Sequence, residues 1–289
     1  KCGVLYLSGK DLVNARDLVA ACLGDNVPDE YLAAANVETP KQRRDFQRST
    51  FDDYTFWLKK SASECHTLVI SSEHLHSRMT RVDEIKRLRD FLLPYVTDFS
   101  IVCYLRRQVD MVVSLHSTVL KGGGTPNFRD QVHNMLSGKK YYCDYRQLLK
   151  NWATVFGRAA IKARLFARSR LRRGNIIDDF FHFEALPEAG LQRRAESVNE
   201  SVSHLGQVLL RELNRGVKPP DSVREQHNLK IVRQTISKAF AGKGEQLPAS
   251  VAVEYQSAFD EINEAVRQEY LPEEDELFSK AFPDEDGRM

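Results

Sequence analysis

The sequence predicts an α/β fold, a parallel central sheet flanked by helices, with a helical C-terminal region. Three observations predict it. Short apolar runs recur at residues 3–7, 67–71 and 99–104, the second rich in β-branched residues. The run at 67–71 shows no polar alternation, as expected of a parallel strand buried on both faces. Helix-period segments separate the runs, which is the pattern of βαβ units with right-handed crossovers. No strand signal follows residue 166, and the character of the chain shifts after Pro187. The expected division is therefore an α/β core over 1–186 and a helical subdomain over 187–289.

The elements follow in order. Residues 3–7 (GVLYL) read as a short strand or extended entry. Asp11 or Asn14 is placed to cap the next helix, whose apolar positions are Leu12, Ala15, Leu18, Val19 and Cys22. Residues 28–44 mix charges with weak periodicity and read as a mobile or loosely helical insertion. Residues 46–63 place Phe51, Tyr54, Phe56, Trp57 and Leu58 in a helix with an aromatic face. The strand TLVIS follows at 67–71, then an amphipathic helix over 81–95 with Val82, Ile85, Leu88, Phe91 and Leu92 inward. The strand at 99–104 ends in Arg106 and Arg107, and a helix runs on to the glycines at 122–124. Helices are expected over 128–136, over 145–156 behind Asp144, and over 176–183, with a strand at 160–166. In the last third, 200–215 and 251–270 read as helices, with breaks at 218–220 and 242–248.

Bulk properties narrow the function. The 289 residues carry 42 basic and 40 acidic side chains, a formal charge of +2. That balance argues against a general nucleic-acid-binding surface. The basic clusters at 41–44, 78–89 and 164–173 read as solvated helix faces. Five cysteines with no CxxC spacing fit reduced thiols, and the expected location is cytoplasmic. No apolar run approaches the roughly 18 residues needed to span a membrane, and no signal peptide is visible. No residue cluster calls for a metal. The oligomeric state is not written in the sequence.

The chemistry-bearing residues lie after strands. There is no GxxxxGK[ST] loop, no GxGxxG and no GxSxG; Ser8-Gly9-Lys10 reads as a turn. In α/β proteins ligands bind at the carboxyl ends of strands. There, Arg106, Asp110 and Ser114 step along one helix face at intervals of four. Arg106 and Ser114 can converge on one anionic group, with Asp110 holding the arginine; the alternative is a helix start braced for stability. The second constellation is Ser71-Ser72-Glu73-His74-Leu75-His76, directly after the strand at 67–71. Glu73 is suited to accept a proton from an acceptor hydroxyl, and the imidazoles to do the same or to bind an anion. The alternative there is that Ser72 caps a helix and Glu73 supports its first turn.

Together these residues resemble the sulfotransferases that use 3′-phosphoadenosine-5′-phosphosulfate (PAPS), above all bacterial members with long helical C-terminal regions. In that family a strand is followed by Arg, by Asp four residues on and by Ser eight residues on. Here Cys103-Tyr104-Leu105-Arg106, Asp110 and Ser114 reproduce the spacing. Ile70-Ser71-Ser72-Glu73 is similar to the family strand that ends in an acidic residue. Asp144-Tyr145, Leu148-Leu149, Trp152, Phe156-Gly157, Asp179-Phe180, Asn199-Glu200-Ser201, Leu210-Arg211 and Leu213-Asn214 extend the likeness over about residues 3–278.

The resemblance implies a P-loop-type sulfotransferase fold, Arg106 and Ser114 on the 3′-phosphate of PAPS, and Glu73 as base. It implies transfer of a sulfuryl group to a glycan or glycolipid hydroxyl, that is, to a carbohydrate or lipid-linked acceptor. His116, Lys121 and residues 28–44 are expected to shape the acceptor pocket. The family's Lys-Ser/Thr-Gly-Thr-Thr loop is absent, and residues 2–6 resemble the segment after it. The expectation is that the loop and first strand lie upstream of Lys1 or have been lost. A P-loop-type kinase and a degenerate, non-enzymatic binding module of the same fold stay open as alternatives.

Overall fold

A computed structural model describes residues 3–8, 14–138, 140–187, 201–218 and 222–282. In chain order the elements are β1 (Val4–Tyr6), α1 (Arg16–Cys22), α2 (Glu30–Ala34), α3 (Pro40–Ser61), β2 (Thr67–Val69), α4 (His74–Ser77), α5 (Val82–Leu92), β3 (Ile101–Leu105), α6 (Gln108–Lys121) and α7 (Phe128–His133). There follow α8 (Lys140–Cys143), α9 (Tyr145–Phe156), β4 (Ile161–Leu165), α10 (Ile176–Phe183), α11 (His204–Gly216), α12 (Val223–Ala239), α13 (Ala249–Ser257) and α14 (Asp260–Tyr270). The chain forms two compact units, Lys1–Leu105 with Tyr145–Leu191, and Arg106–Asp144 with Gln192–Met289.

The first unit carries the strands. β1 pairs with β2 in parallel, Val4 opposite Thr67 and Tyr6 opposite Val69. β3 pairs with β4 in parallel, Ile101 opposite Ile161 and Leu105 opposite Leu165. The α/β class and the parallel pairing agree with the sequence. The hydrogen-bonded ladders are two separate pairs, however, rather than one central sheet among the described residues. Gly3 leads into β1 at φ 64°, and a Cβ there would sit 2.4 Å from the His66 ring. Only glycine serves at that position.

α1 packs against α3 and α5, and α5 against α9. α1 is buried on every side, Arg16 and Asp17 included. Its polar groups therefore need partners. Asp17 Oδ1 accepts from Tyr54 Oη at 2.7 Å and from Leu18 N at 2.9 Å. Asn14 Oδ1 accepts from Arg16 N at the helix start. Asp11 and Leu12 lie outside the described residues.

Residues 28–44 are not a loose insertion. Asp29 caps α2 by accepting from Tyr31 N and Leu32 N, and Leu32 packs on Ala20 and Val37. Thr39 and Gln42 form a capping box, and Pro40 takes the first helical position, so α3 begins earlier than the aromatic pattern suggests. Along α3, Thr50, Tyr54 and Leu58 are buried at intervals of four, and Phe51 stacks on Phe91 with ring centroids 4.3 Å apart. Phe56 and Trp57 point outward.

The second unit is built around α6. Val109 and Val112 pack with Phe128 and Val132 of α7, with Ala252 of α13 and with Phe259. Further along α6, Leu120 packs with Val202 and Leu210. At the start of α6, Gln108 is fully buried. Its Nε2 donates to Asn263 Oδ1 at 2.6 Å, and its Oε1 accepts from Gln256 Nε2 at 2.7 Å. The helix expected over 251–270 is two helices, α13 and α14. The chain breaks at Ala258–Phe259, where Phe259 turns into the core. α12 lies beyond the expected helices and is capped by Ser222, whose side chain accepts from Glu225 N. Among the described residues no helix is long and apolar enough to cross a membrane.

Candidate functional site

Arg106 follows the last residue of β3, and α6 begins two residues later. Arg106 and Ser114 are both half-buried and belong to the second unit. The brace expected from Asp110 is present, but the arginine it holds is Arg107. Arg107 Nε donates to Asp110 Oδ2 at 2.9 Å and Nη2 to Asp110 Oδ1 at 3.0 Å. Arg107 Nη1 also donates to the carbonyls of Ser279 and Ala281, and its guanidinium lies 3.7 Å from the Phe282 ring centroid. Three residues on a helix bring the first-turn carboxylate back to the N-terminal flank, so the adjacent Arg107 captures it. Arg107 is thus a structural clamp. Ser114 shares a helix face with Asp110, one turn further on.

His116 does not shape an acceptor pocket. It is buried within the second unit, hydrogen-bonded through Nδ1 to Gln131 Oε1 at 2.7 Å and set edge-on to Phe128. Burial lowers its pKa, against the opposing effect of the Gln131 bond. Ser117 beside it accepts from Gln207 Nε2 at 2.9 Å.

Glu73 belongs to the first unit and immediately precedes α4. The expected cap is made by Ser72, whose Oγ accepts from His74 N at 3.2 Å. Glu73 makes no side-chain cap and is exposed. Its carboxylate receives Asn14 Nδ2 at 3.3 Å and lies 3.4 Å from His74 Nε2. An exposed carboxylate held in place on two sides is suited to take a proton from a hydroxyl.

Around this carboxylate lies a cluster that sequence reasoning missed. Arg16 Nη2 meets the buried Asp29 at 2.5 Å and lies 3.6 Å from Glu30 Oε1. Arg78 Nη2 reaches the same Glu30 oxygen. His74 stands among these groups, and its pKa is lowered, chiefly by burial and further by Arg16 and Arg78, with Glu73 and Glu30 opposing. At neutral pH it is an uncharged imidazole.

A second hub sits at the end of the β3–β4 pair. Asp179 Oδ2 accepts from Tyr104 Oη and from Arg164 Nε, both at 2.7 Å, and Oδ1 accepts from Arg164 Nη2 and Arg172 N, both at 2.9 Å. Arg164 also lies over the Phe183 ring. Among the described residues no group of three or more His, Cys, Asp or Glu is placed to hold a metal ion.

The chain is similar to an uncharacterized protein of Archaeoglobus fulgidus, 27% identical over 212 residues. The match covers 71% of this chain and 54% of that protein, so the chain spans about half the length of the curated relative it matches. No protein-family model and no solved structure matches the chain.

Proposed function

We propose that the protein is a sulfotransferase that moves the sulfuryl group of PAPS onto a hydroxyl of a glycan- or glycolipid-type acceptor, within a P-loop-type fold. The observation that carries the reading is the junction at Leu105. A parallel strand ends there, Arg106 follows it directly, and Ser114 stands eight residues on along the helix that begins at Gln108. A guanidinium at a strand end, with a hydroxyl further along the following helix, suits a terminal phosphate, here the 3′-phosphate of PAPS.

In this reading Arg106 and Ser114 hold that phosphate. Glu73, steadied by Asn14 and His74, takes the acceptor proton as the hydroxyl oxygen attacks sulfur and the 5′-phosphate leaves. Such a transfer depends mainly on positioning and charge stabilisation. The test follows conversion of PAPS to adenosine 3′,5′-bisphosphate by mass spectrometry, with a panel of glycosides as acceptors. Glu73→Gln is expected to lower turnover by about 10²–10⁴-fold and to leave bisphosphate affinity unchanged. Turnover that survives the substitution undiminished, or a wild-type chain that transfers to none of the acceptors, contradicts the reading.

A further inference from the structure

In the first unit, Arg16 Nη1, Arg78 Nε and His74 Nδ1 are buried with no hydrogen-bond partner among the described residues. Arg16 as a whole is only 6% exposed. The three belong to one neighbourhood. Arg16 and Arg78 share Glu30 Oε1, α1 packs on α4, and His74 feels the charge of both arginines. A buried polar group left unmet is costly and rare, so a ligand or an ordered water is needed to complete the bonding of these three.

The chemistry of the three is mixed. Guanidinium nitrogens only donate. The neutral imidazole faces Glu73 with Nε2, which therefore carries the proton, and Nδ1 presents a lone pair. The charges then decide the class of ligand. Arg16 and Arg78 are matched by Asp29 and Glu30, and Glu73 adds a further negative charge. Two positive against three negative charges disfavour a doubly charged oxyanion. A hydroxyl fits, because it accepts from a guanidinium and donates to an imidazole at once.

We propose that Arg16, His74 and Arg78 bind adjacent hydroxyls of an uncharged, sugar-type polyol. This deepens the transferase reading by assigning it an acceptor subsite beside Glu73, and rests on that reading for its purpose.

The test uses the full chain without nucleotide. Methyl glycosides of glucose, galactose and mannose are titrated by saturation-transfer NMR, and the His74 ring nitrogens are followed in ¹⁵N spectra. At least one glycoside is expected to bind saturably and to shift the Nδ1 resonance. Its affinity is expected to fall at least tenfold in Arg78→Met and in His74→Phe. Both substitutions leave behind carboxylates that reach water, since Glu30 and Glu73 have side chains 60% and 70% exposed. If either variant fails to fold, the other variant and the wild-type His74 resonances decide. No saturable binding by any of the three glycosides overturns the proposal. So does binding that the folded variants retain, or inorganic sulfate that shifts His74 at lower concentration than every glycoside. Glycoside binding without bisphosphate binding sinks the transferase reading alone; bisphosphate binding without glycoside binding sinks this subsite alone.

Discussion

Asp179 is nearly buried and remains charged because its surroundings are built for the anion. Burial opposes the charge, but the bonds from Arg164, the Arg172 amide and Tyr104 outweigh it and hold the carboxyl below its ordinary pKa. The folded value thus lies below the unfolded value of about 3.9. The stabilisation is complete above that pH and is lost as pH falls through the folded value. Asp179→Asn is expected to cost about 1.5–3 kcal/mol at pH 7, and the gap from wild type should narrow in urea titrations taken from pH 5 to pH 2. A gap that does not change with pH contradicts the assignment. Burial also pushes the Cys22 and Cys143 thiols up to about 12. Neither is expected to react with iodoacetamide at pH 8 while the chain is folded, because the thiolate is the reactive form; labelling at the rate of a denatured control would contradict this.

Among the elements, α9 ends at Gly157, which holds φ 85° with open space where a Cβ would point. With ψ at 149° this is backbone that essentially only glycine adopts, so Gly157→Ala tests backbone strain alone, and about 1–3 kcal/mol of destabilisation is expected in chemical denaturation. A neutral result would show that the turn relaxes. The strands were legible because apolar β-branched runs are local signals, and so was the amphipathic α5. The mixed charges of 28–44 hide two helix caps. Asp29 before α2, and Thr39 with Gln42 three residues on, are the local marks that should have been weighed. The break at Phe259 has no such mark. The helical period runs straight through it, and only packing against α6 and α7 turns the chain. Asp110 was assigned the wrong partner because spacing alone does not choose between adjacent arginines. The Arg16, Asp29 and Arg78 cluster was illegible because three separate elements supply it.

At the scale of the whole molecule, each unit closes its own core, and the second does so over polar groups as well as apolar ones. Gln256 and Asn263 both bind Gln108 in the interior. Gln108→Leu removes a donor and an acceptor at once and orphans Gln256 Nε2 and the Asn263 amide, while Gln256 Oε1 keeps its bond from Val109 N, at about 1–3 kcal/mol for each orphaned group. Hydrogen exchange should quicken across α6, α13 and α14, and unchanged protection would contradict the role given to the network. The near balance of charge makes a local site, rather than a general field, the means of recognising an anion. Arg106 and Ser114 are the site proposed for that role. The most direct test is calorimetry with adenosine 3′,5′-bisphosphate against adenosine 5′-monophosphate, which differ by the 3′-phosphate alone. The account predicts that wild type binds the bisphosphate at least tenfold more tightly, and that Arg106→Ala erases most of the difference. Equal affinity for the two nucleotides, or a preference that survives the loss of Arg106, would contradict it.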